Sequence, residues 1–335
     1  MNIDSIGIIG AGAWGTALAQ AVCNAGNHTI LWAHEREVAD SINKKRMNDI
    51  YLPGITLNPA IRATTVIEEA TESDVVLLVT PAQFLRGVTE TLAPILSRST
   101  PIVICAKGIE QNTGALMSEI ASETLGGREI AVLSGPTFAV EVAKGLPTAV
   151  TIASKDPAFG EAFVRAIGTQ TLRPYHSQDV IGAEIGGAVK NVLAIACGIA
   201  EGRGFGDNAR AALITRGLSE MTRLSLAKGG KAETMMGLSG LGDLTLTCTS
   251  PQSRNYSLGI ALGEGQSLDS ITSSRHSVAE GVFSAAAVGT LASRLRIEMP
   301  ISEGIDAIVN KGSSVDEIIE ALLARPFREE KDPRR

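Results

Sequence analysis

One short segment limits the architectures open to this chain more than any other. A strand-like run, Ser5–Ile9, leads directly into Gly10-Ala11-Gly12-Ala13-Trp14-Gly15, and a helix-like stretch, Trp14–Asn24, follows at once. Gly-x-Gly-x-x-Gly in that strand–turn–helix setting marks a dinucleotide-binding βαβ unit. Gly10 permits the tight turn, Gly12 lets the main chain approach a pyrophosphate, and Gly15 lets helix pack on strand. Unpaired amides at the helix start, on Ala13 and Trp14, then face phosphate charge.

The rest of the first half agrees. Thr29–Trp32, Asp74–Thr80, Ile102–Ala106 and Ile130–Ser134 are continuous apolar runs alternating with helical stretches. Strands covered by helices on both faces of a parallel sheet read this way. Thr148–Ala153 and Thr171–Tyr175 are two further strand candidates. Beyond residue 180 the strand signal stops, and helical periodicity covers 186–201, 207–228, 253–263, 277–294, 300–310 and 314–324. The expected class is α/β: an N-terminal Rossmann domain over 1–182, an all-α domain over 183–328 and a charged tail over 329–335. A length of 335 residues suits two domains.

Composition narrows the partners. The chain is 44% hydrophobic with a net charge of −6, enough apolar sequence for a large core and the wrong sign for a nucleic-acid binder. Net charge does not bear on a small anion held by a few local cations. The four cysteines and four histidines are scattered without metal-ligand spacing, so no metal is expected. The apolar N-terminus has no basic leader and carries Asp4, which argues against a signal peptide. No uncharged run reaches bilayer-spanning length with suitable flanks, so the expected compartment is the cytoplasm.

Cofactor selectivity is read at the end of the second strand, where an acid meets ribose hydroxyls and cations meet a 2′-phosphate. Trp32-Ala33-His34-Glu35-Arg36 offers both. His34 and Arg36 suit NADP and Glu35 suits NAD; two cations against one carboxylate tilt the balance towards NADP.

Candidate chemistry lies in three further places. Lys107 and the turn Gly135-Pro136-Thr137-Phe138-Ala139 follow strands whose carboxyl ends should form the ligand edge. The stretch Ala188–Ala200 is apolar on every side except for Lys190 and Asn191, an expensive place for an ammonium group without a partner. Partial burial near a helix start would poise such a lysine for proton transfer. Finally, Asp243 stands alone in a glycine-rich segment, followed by Thr247 and by Ser253-Arg254-Asn255 at the opening of a helix. That last trio reads equally as a phosphate clamp or as the cap of a surface helix.

Taken in order, GIIGAGAWGTALA, CAKGIE, SGPTFAVEVAKGLPTA, GGAVKNVLAIACGIAEG, ALITRGLSEM, GLGDLTLTCTSPQSRN and VAEG resemble the bacterial NAD(P)-dependent glycerol-3-phosphate dehydrogenases, of the 6-phosphogluconate dehydrogenase-like superfamily. The resemblance implies reversible reduction of dihydroxyacetone phosphate to sn-glycerol 3-phosphate with NADPH or NADH, for phospholipid synthesis, by a homodimer. It implies Lys190 as general acid and base, with Lys107, Asp243, Asn191 and Thr247 in the catalytic group. Substrate contacts fall on Lys107, Gly135, Thr137, Lys190, Asp243, Ser253, Arg254 and Asn255. Cofactor contacts fall on Gly10, Gly12, Ala13, Trp14, Gly15, His34, Arg36, Lys107, Ala139, Arg254, Val278 and Glu280. Ala13 replaces a serine common in that family, which leaves the turn with main-chain contacts only. Two other readings stand beside this one: a related β-hydroxyacid dehydrogenase, which would need a carboxylate site, and a non-catalytic NADPH-binding sensor.

Overall fold

Eight strands form one sheet in the order β3-β2-β1-β4-β5-β6-β7-β8. They are β1 Ser5–Ile9, β2 His28–Trp32, β3 Arg62–Thr64, β4 Val75–Leu78, β5 Ile102–Ile104, β6 Ile130–Ser134, β7 Thr148–Ser154 and β8 Leu172–Ser177. The computed structural model describes residues 2–273 and 279–327. The charged tail expected over 329–335 and the site residue Val278 lie outside them.

Strands β1 to β6 are mutually parallel, with Ile9 opposite Trp32 on one side and Leu78 on the other. β4 and β5 are buried along their whole length, as their unbroken apolar sequence requires. The sheet departs from the expected all-parallel form at β7, which runs antiparallel to β6. The connection, residues 135–147, carries only the five-residue helix Ala139–Ala143, less than the full crossover helix that usually returns a chain to a parallel partner. β3 is three residues long, too short to stand out as an apolar run.

The chain divides into two compact units. One comprises residues up to Lys107 with Met117–Val180; the other comprises Gly108–Leu116 and everything from Ile181 on. The short segment joins the helical unit through hydrogen bonds such as the one from the Arg294 guanidinium to the Thr113 carbonyl.

The helical unit is built on Val180–Gly202, in which every residue from Gly182 to Ala200 is buried. It is the one helix among the described residues long and apolar enough to cross a membrane, and 94% of its most apolar window is buried in protein. It starts six residues earlier than expected, so Lys190 stands at mid-helix rather than near the start. Gly182, Gly186 and Gly187 look like helix breakers, yet tertiary packing overrides their low propensity. At Gly186 a Cβ would lie 2.1 Å from the Ser239 carbonyl oxygen, so glycine is what lets the neighbouring segment approach. Gly206–Lys228, Arg254–Gly263, Glu280–Leu295, Pro300–Lys311 and Val315–Leu323 lie near the expected helices. All four cysteines are buried, and burial drives the thiols of Cys105 and Cys248 above their usual range. They are inert packing groups.

Candidate functional site

In the sheet unit the main chain forms most of the site. The strand order reverses between β1 and β4, the position at which open α/β sheets bind dinucleotides. The glycine turn leaves β1 there. Gly10 has φ +117°, and a Cβ on it would come 2.8 Å from the Val79 carbonyl oxygen; one on Gly15 would come 1.8 Å from the Gly10 carbonyl oxygen. Gly12 differs from both. Its φ of −66° suits any residue, and a Cβ there would meet no atom within 4 Å. Neither packing nor backbone requires glycine at position 12, which leaves close approach of a phosphate as the reason for it. The helix Ala13–Asn24 begins with no side-chain cap and no acid in its first turn, so its leading amides suit an anion.

Three buried polar atoms at this edge have no hydrogen-bond partner: Trp14 Nε1 in the turn, Thr80 Oγ1 just beyond β4, and Ser134 Oγ at the end of β6. Buried orphans are uncommon, and three at one edge fit a polar ligand. The residues present therefore suit a dinucleotide. Lys107, half-buried beyond β5, donates from Nζ to the Gly135 carbonyl oxygen at 2.8 Å, and Thr137 Oγ1 donates to the same oxygen at 3.4 Å. Ala139 opens the next helix on that edge.

His34, Glu35 and Arg36 are all exposed beyond β2, and His34 meets Trp32 edge-on at 6.0 Å. Glu35 has a partner that inspection of the sequence missed, sixteen residues on: the Tyr51 hydroxyl donates to its Oε1 at 3.0 Å. That bond, with some burial, raises the Tyr51 phenol above its usual pKa.

In the helical unit, side chains form the site. Gly186 and Lys190 are four residues apart and so share one helix face. Both meet the segment that contains Asp243. A π-helical turn, Leu238–Gly242, presses against Gly186 and runs straight into the helix Asp243–Thr249. Lys190 Nζ then lies 2.7 Å from Asp243 Oδ1 and donates to Thr247 Oγ1 at 2.9 Å. The Thr247 hydroxyl in turn donates to the Asp243 carbonyl oxygen at 2.6 Å. The lysine side chain is 8% exposed and the aspartate 0%. The lysine's expense is thus offset by a buried counter-charge, a pairing that functional sites often show.

Asn191 supports a second cluster. Asn255 Nδ2 donates to Asn191 Oδ1 at 2.9 Å, while Asn255 Oδ1 accepts from the Gly281 amide at 2.9 Å. Ser253 caps its helix, its Oγ accepting from the Tyr256 amide at 3.2 Å. The helix start is not a surface cap, however, since Ser253 and Asn255 are both buried, with only Arg254 exposed between them. Glu280, half-buried, begins the helix whose amide Asn255 holds.

Comparison with known proteins agrees with this arrangement. Family profiles described as the N-terminus and the C-terminus of NAD-dependent glycerol-3-phosphate dehydrogenase match residues 5–160 and 179–320. A glycerol-3-phosphate dehydrogenase [NAD(P)+] of Parvibaculum lavamentivorans is 57% identical over 97% of this chain and 98% of its own length. That of Rhodospirillum rubrum is 57% identical over 98% and 94%. The crystal structure of the glycerol-3-phosphate dehydrogenase of Coxiella burnetii superposes with a TM-score of 0.92 at 38% identity, covering 96% of this chain and 99% of that one. A D-mandelate dehydrogenase, at a TM-score of 0.63 and 14% identity, shares the fold alone. The chain belongs to the NAD-dependent glycerol-3-phosphate dehydrogenase family.

Proposed function

We propose that this chain reduces dihydroxyacetone phosphate to sn-glycerol 3-phosphate, reversibly, with NADPH or NADH. The observation that carries the reading is the buried Lys190–Asp243–Thr247 group, a proton donor held at mid-helix by a counter-charge and a hydroxyl. When bound, the reduced nicotinamide supplies the hydride that C2 of the substrate takes up. Lys190 Nζ gives its proton to the C2 oxygen as negative charge develops there, and its own charge stabilises that oxygen beforehand. Asp243 pairs with Nζ and, with Thr247, fixes its position. Asn191 orders Asn255.

Ser253, Arg254 and Asn255 hold the substrate phosphate. The guanidinium forks onto phosphate oxygens, and the capping role of Ser253 leaves its hydroxyl proton free to donate. In the sheet unit we assign Lys107, Gly135 and Thr137 to substrate, with Lys107 also on the cofactor. The cofactor falls to Gly10, Gly12, Ala13, Trp14, Gly15, His34, Arg36 and Ala139, joined by Arg254, Val278 and Glu280. We assign residues 1–182 to the domain that carries most of the dinucleotide contacts and 183–328 to the helical domain that carries most of the substrate contacts. The family's named members, glycerol-3-phosphate dehydrogenases 57% identical to this chain, favour this over a β-hydroxyacid substrate.

We place the enzyme in the cytoplasm, at the entry to phospholipid synthesis, as a homodimer. An apolar groove of about 630 Å³ in the helical unit, lined by Leu213, Ile305 and Ile319 and by the exposed Phe205 and Leu323, offers apolar surface for that contact.

The test is steady-state oxidation of NADPH and NADH with dihydroxyacetone phosphate and with 2- and 3-oxo acids, on the wild type and on Lys190→Ala. Turnover of the phosphate substrate alone is expected. The variant should lose about three orders of magnitude or more in kcat while still binding cofactor. Near-normal turnover by Lys190→Ala, or a preference for an oxo acid, would overturn the reading.

A further inference from the structure

The base–acid–base segment beyond β2, His34-Glu35-Arg36, leaves NAD and NADP both open when read alone. The structure adds what faces it. The helix Arg36–Lys45 ends at Arg46, which takes the left-handed conformation at φ 58° and turns the chain back. The returning loop is anchored by Asn48, a side chain only 1% exposed. Its Nδ2 donates to the Ala11 carbonyl oxygen at 2.9 Å, inside the glycine turn, and to Thr16 Oγ1 at 2.8 Å. Its Oδ1 accepts from the Tyr51 amide at 3.1 Å. The Leu52 amide closes the loop on the Asn48 carbonyl at 2.9 Å. One loop therefore braces the phosphate turn from behind with Asn48 and sets the main chain of Tyr51 beside Glu35, where its hydroxyl donates to the carboxylate.

That contact changes what Glu35 can do. A free carboxylate at this position accepts ribose hydroxyls, favouring NAD, and repels a 2′-phosphate. A carboxylate already accepting from a phenol has fewer lone pairs to offer a ribose, and its charge is partly compensated. His34 and Arg36, on either side, then set the local sign.

We infer that Tyr51 is a specificity-determining residue: by holding the Glu35 carboxylate it shifts cofactor choice towards NADP, with Asn48 as the residue that positions it. This rests on the cofactor reading proposed above and goes beyond it by naming what sets the choice. Tyr51 is 41% exposed, so removing its hydroxyl leaves the core untouched.

Equilibrium dissociation constants for NADPH and NADH, measured by fluorescence titration of the full chain without substrate, test it. Tyr51→Phe should lower the preference for NADPH over NADH roughly five- to tenfold, the size of a charge-assisted hydrogen bond. Glu35→Gln should raise that preference, and in the Glu35→Gln background Tyr51→Phe should change it less than about twofold. An unchanged ratio in Tyr51→Phe overturns the inference while leaving the cofactor reading intact. So does an equal shift with Glu35 removed, because the hydroxyl would then act otherwise. If the wild type binds neither dinucleotide, the cofactor reading falls and the inference falls with it.

Discussion

The two units make their sites from different materials. In the sheet unit the decisive groups are carbonyls, amides and missing Cβ atoms at the carboxyl ends of parallel strands. In the helical unit they are side-chain atoms, an ammonium and a carboxylate 2.7 Å apart with almost no exposure. A main-chain site is sensitive to added volume, and a side-chain site to removed charge. The same chain should therefore fail in two distinguishable ways.

The largest effect is expected where charge is removed. Asp243→Ala leaves the Lys190 ammonium buried with its main counter-charge gone, which should cost about 3–5 kcal/mol of stability as well as activity. Lys190→Met with Asp243→Leu should recover most of that stability and none of the activity. Urea unfolding of the three proteins decides it. A double variant no more stable than Asp243→Ala would mean that the pair is not what limits the helical unit.

Volume is the matching probe in the sheet unit. Gly15→Ala forces a Cβ to within 1.8 Å of the Gly10 carbonyl oxygen and should unfold the turn, lowering the melting temperature by several degrees. Gly12→Ala meets nothing in the protein, so melting should be unchanged while NADPH binding weakens at least about tenfold. Equal melting losses in both variants would show that Gly12, too, answers to packing.

The smallest effect concerns pH and has opposite signs in the two units. Asp74 accepts from the Asp4 and Ser5 amides and the Ser5 hydroxyl, and these bonds hold its carboxyl below the usual range. A lowered folded pKa gives stability that is present above the unfolded value and lost as pH falls through the folded one. Glu220 is 1% exposed and caps Pro300–Lys311 through the Ile301 and Ser302 amides, yet burial outweighs those bonds and raises its carboxyl. A raised folded pKa gives the reverse: stability present below the unfolded value and lost as pH rises through the folded one. As pH falls from about 6 to about 3, wild type should therefore lose melting temperature relative to Asp74→Asn and gain it relative to Glu220→Gln. Parallel slopes would remove the contrast.

Much of this was legible in the sequence, and for one reason. Gly12 is marked by its place in the glycine motif, and Lys190 and Asp243 are lone charges in apolar or glycine-rich surroundings; both kinds of signal show without coordinates. Ser253 was readable as a cap and as a clamp, and the structure shows that it caps while leaving the second role open. Partners distant in sequence were not legible. Tyr51 sits in an irregular loop with no periodicity, and only the left-handed turn at Arg46 brings it back to Glu35. Asn48 looks like any loop asparagine until Ala11 and Thr16 are seen against it. The direction of β7 goes with how little helix its connection forms and is not written in the strand's own residues. The start of the lysine helix was misjudged because glycines that admit a neighbour look the same in sequence as glycines that end a helix.

The burial of Gly182–Ala200 has a kinetic meaning as well. The stretch 182–200 has no residue at the surface and so no wet face from which to unwind, and its amides should exchange with solvent only when the helical unit opens. Lys190 sits at its midpoint. Catalytic competence and cooperative folding of that unit are then a single event, with no half-open form in which the lysine still works.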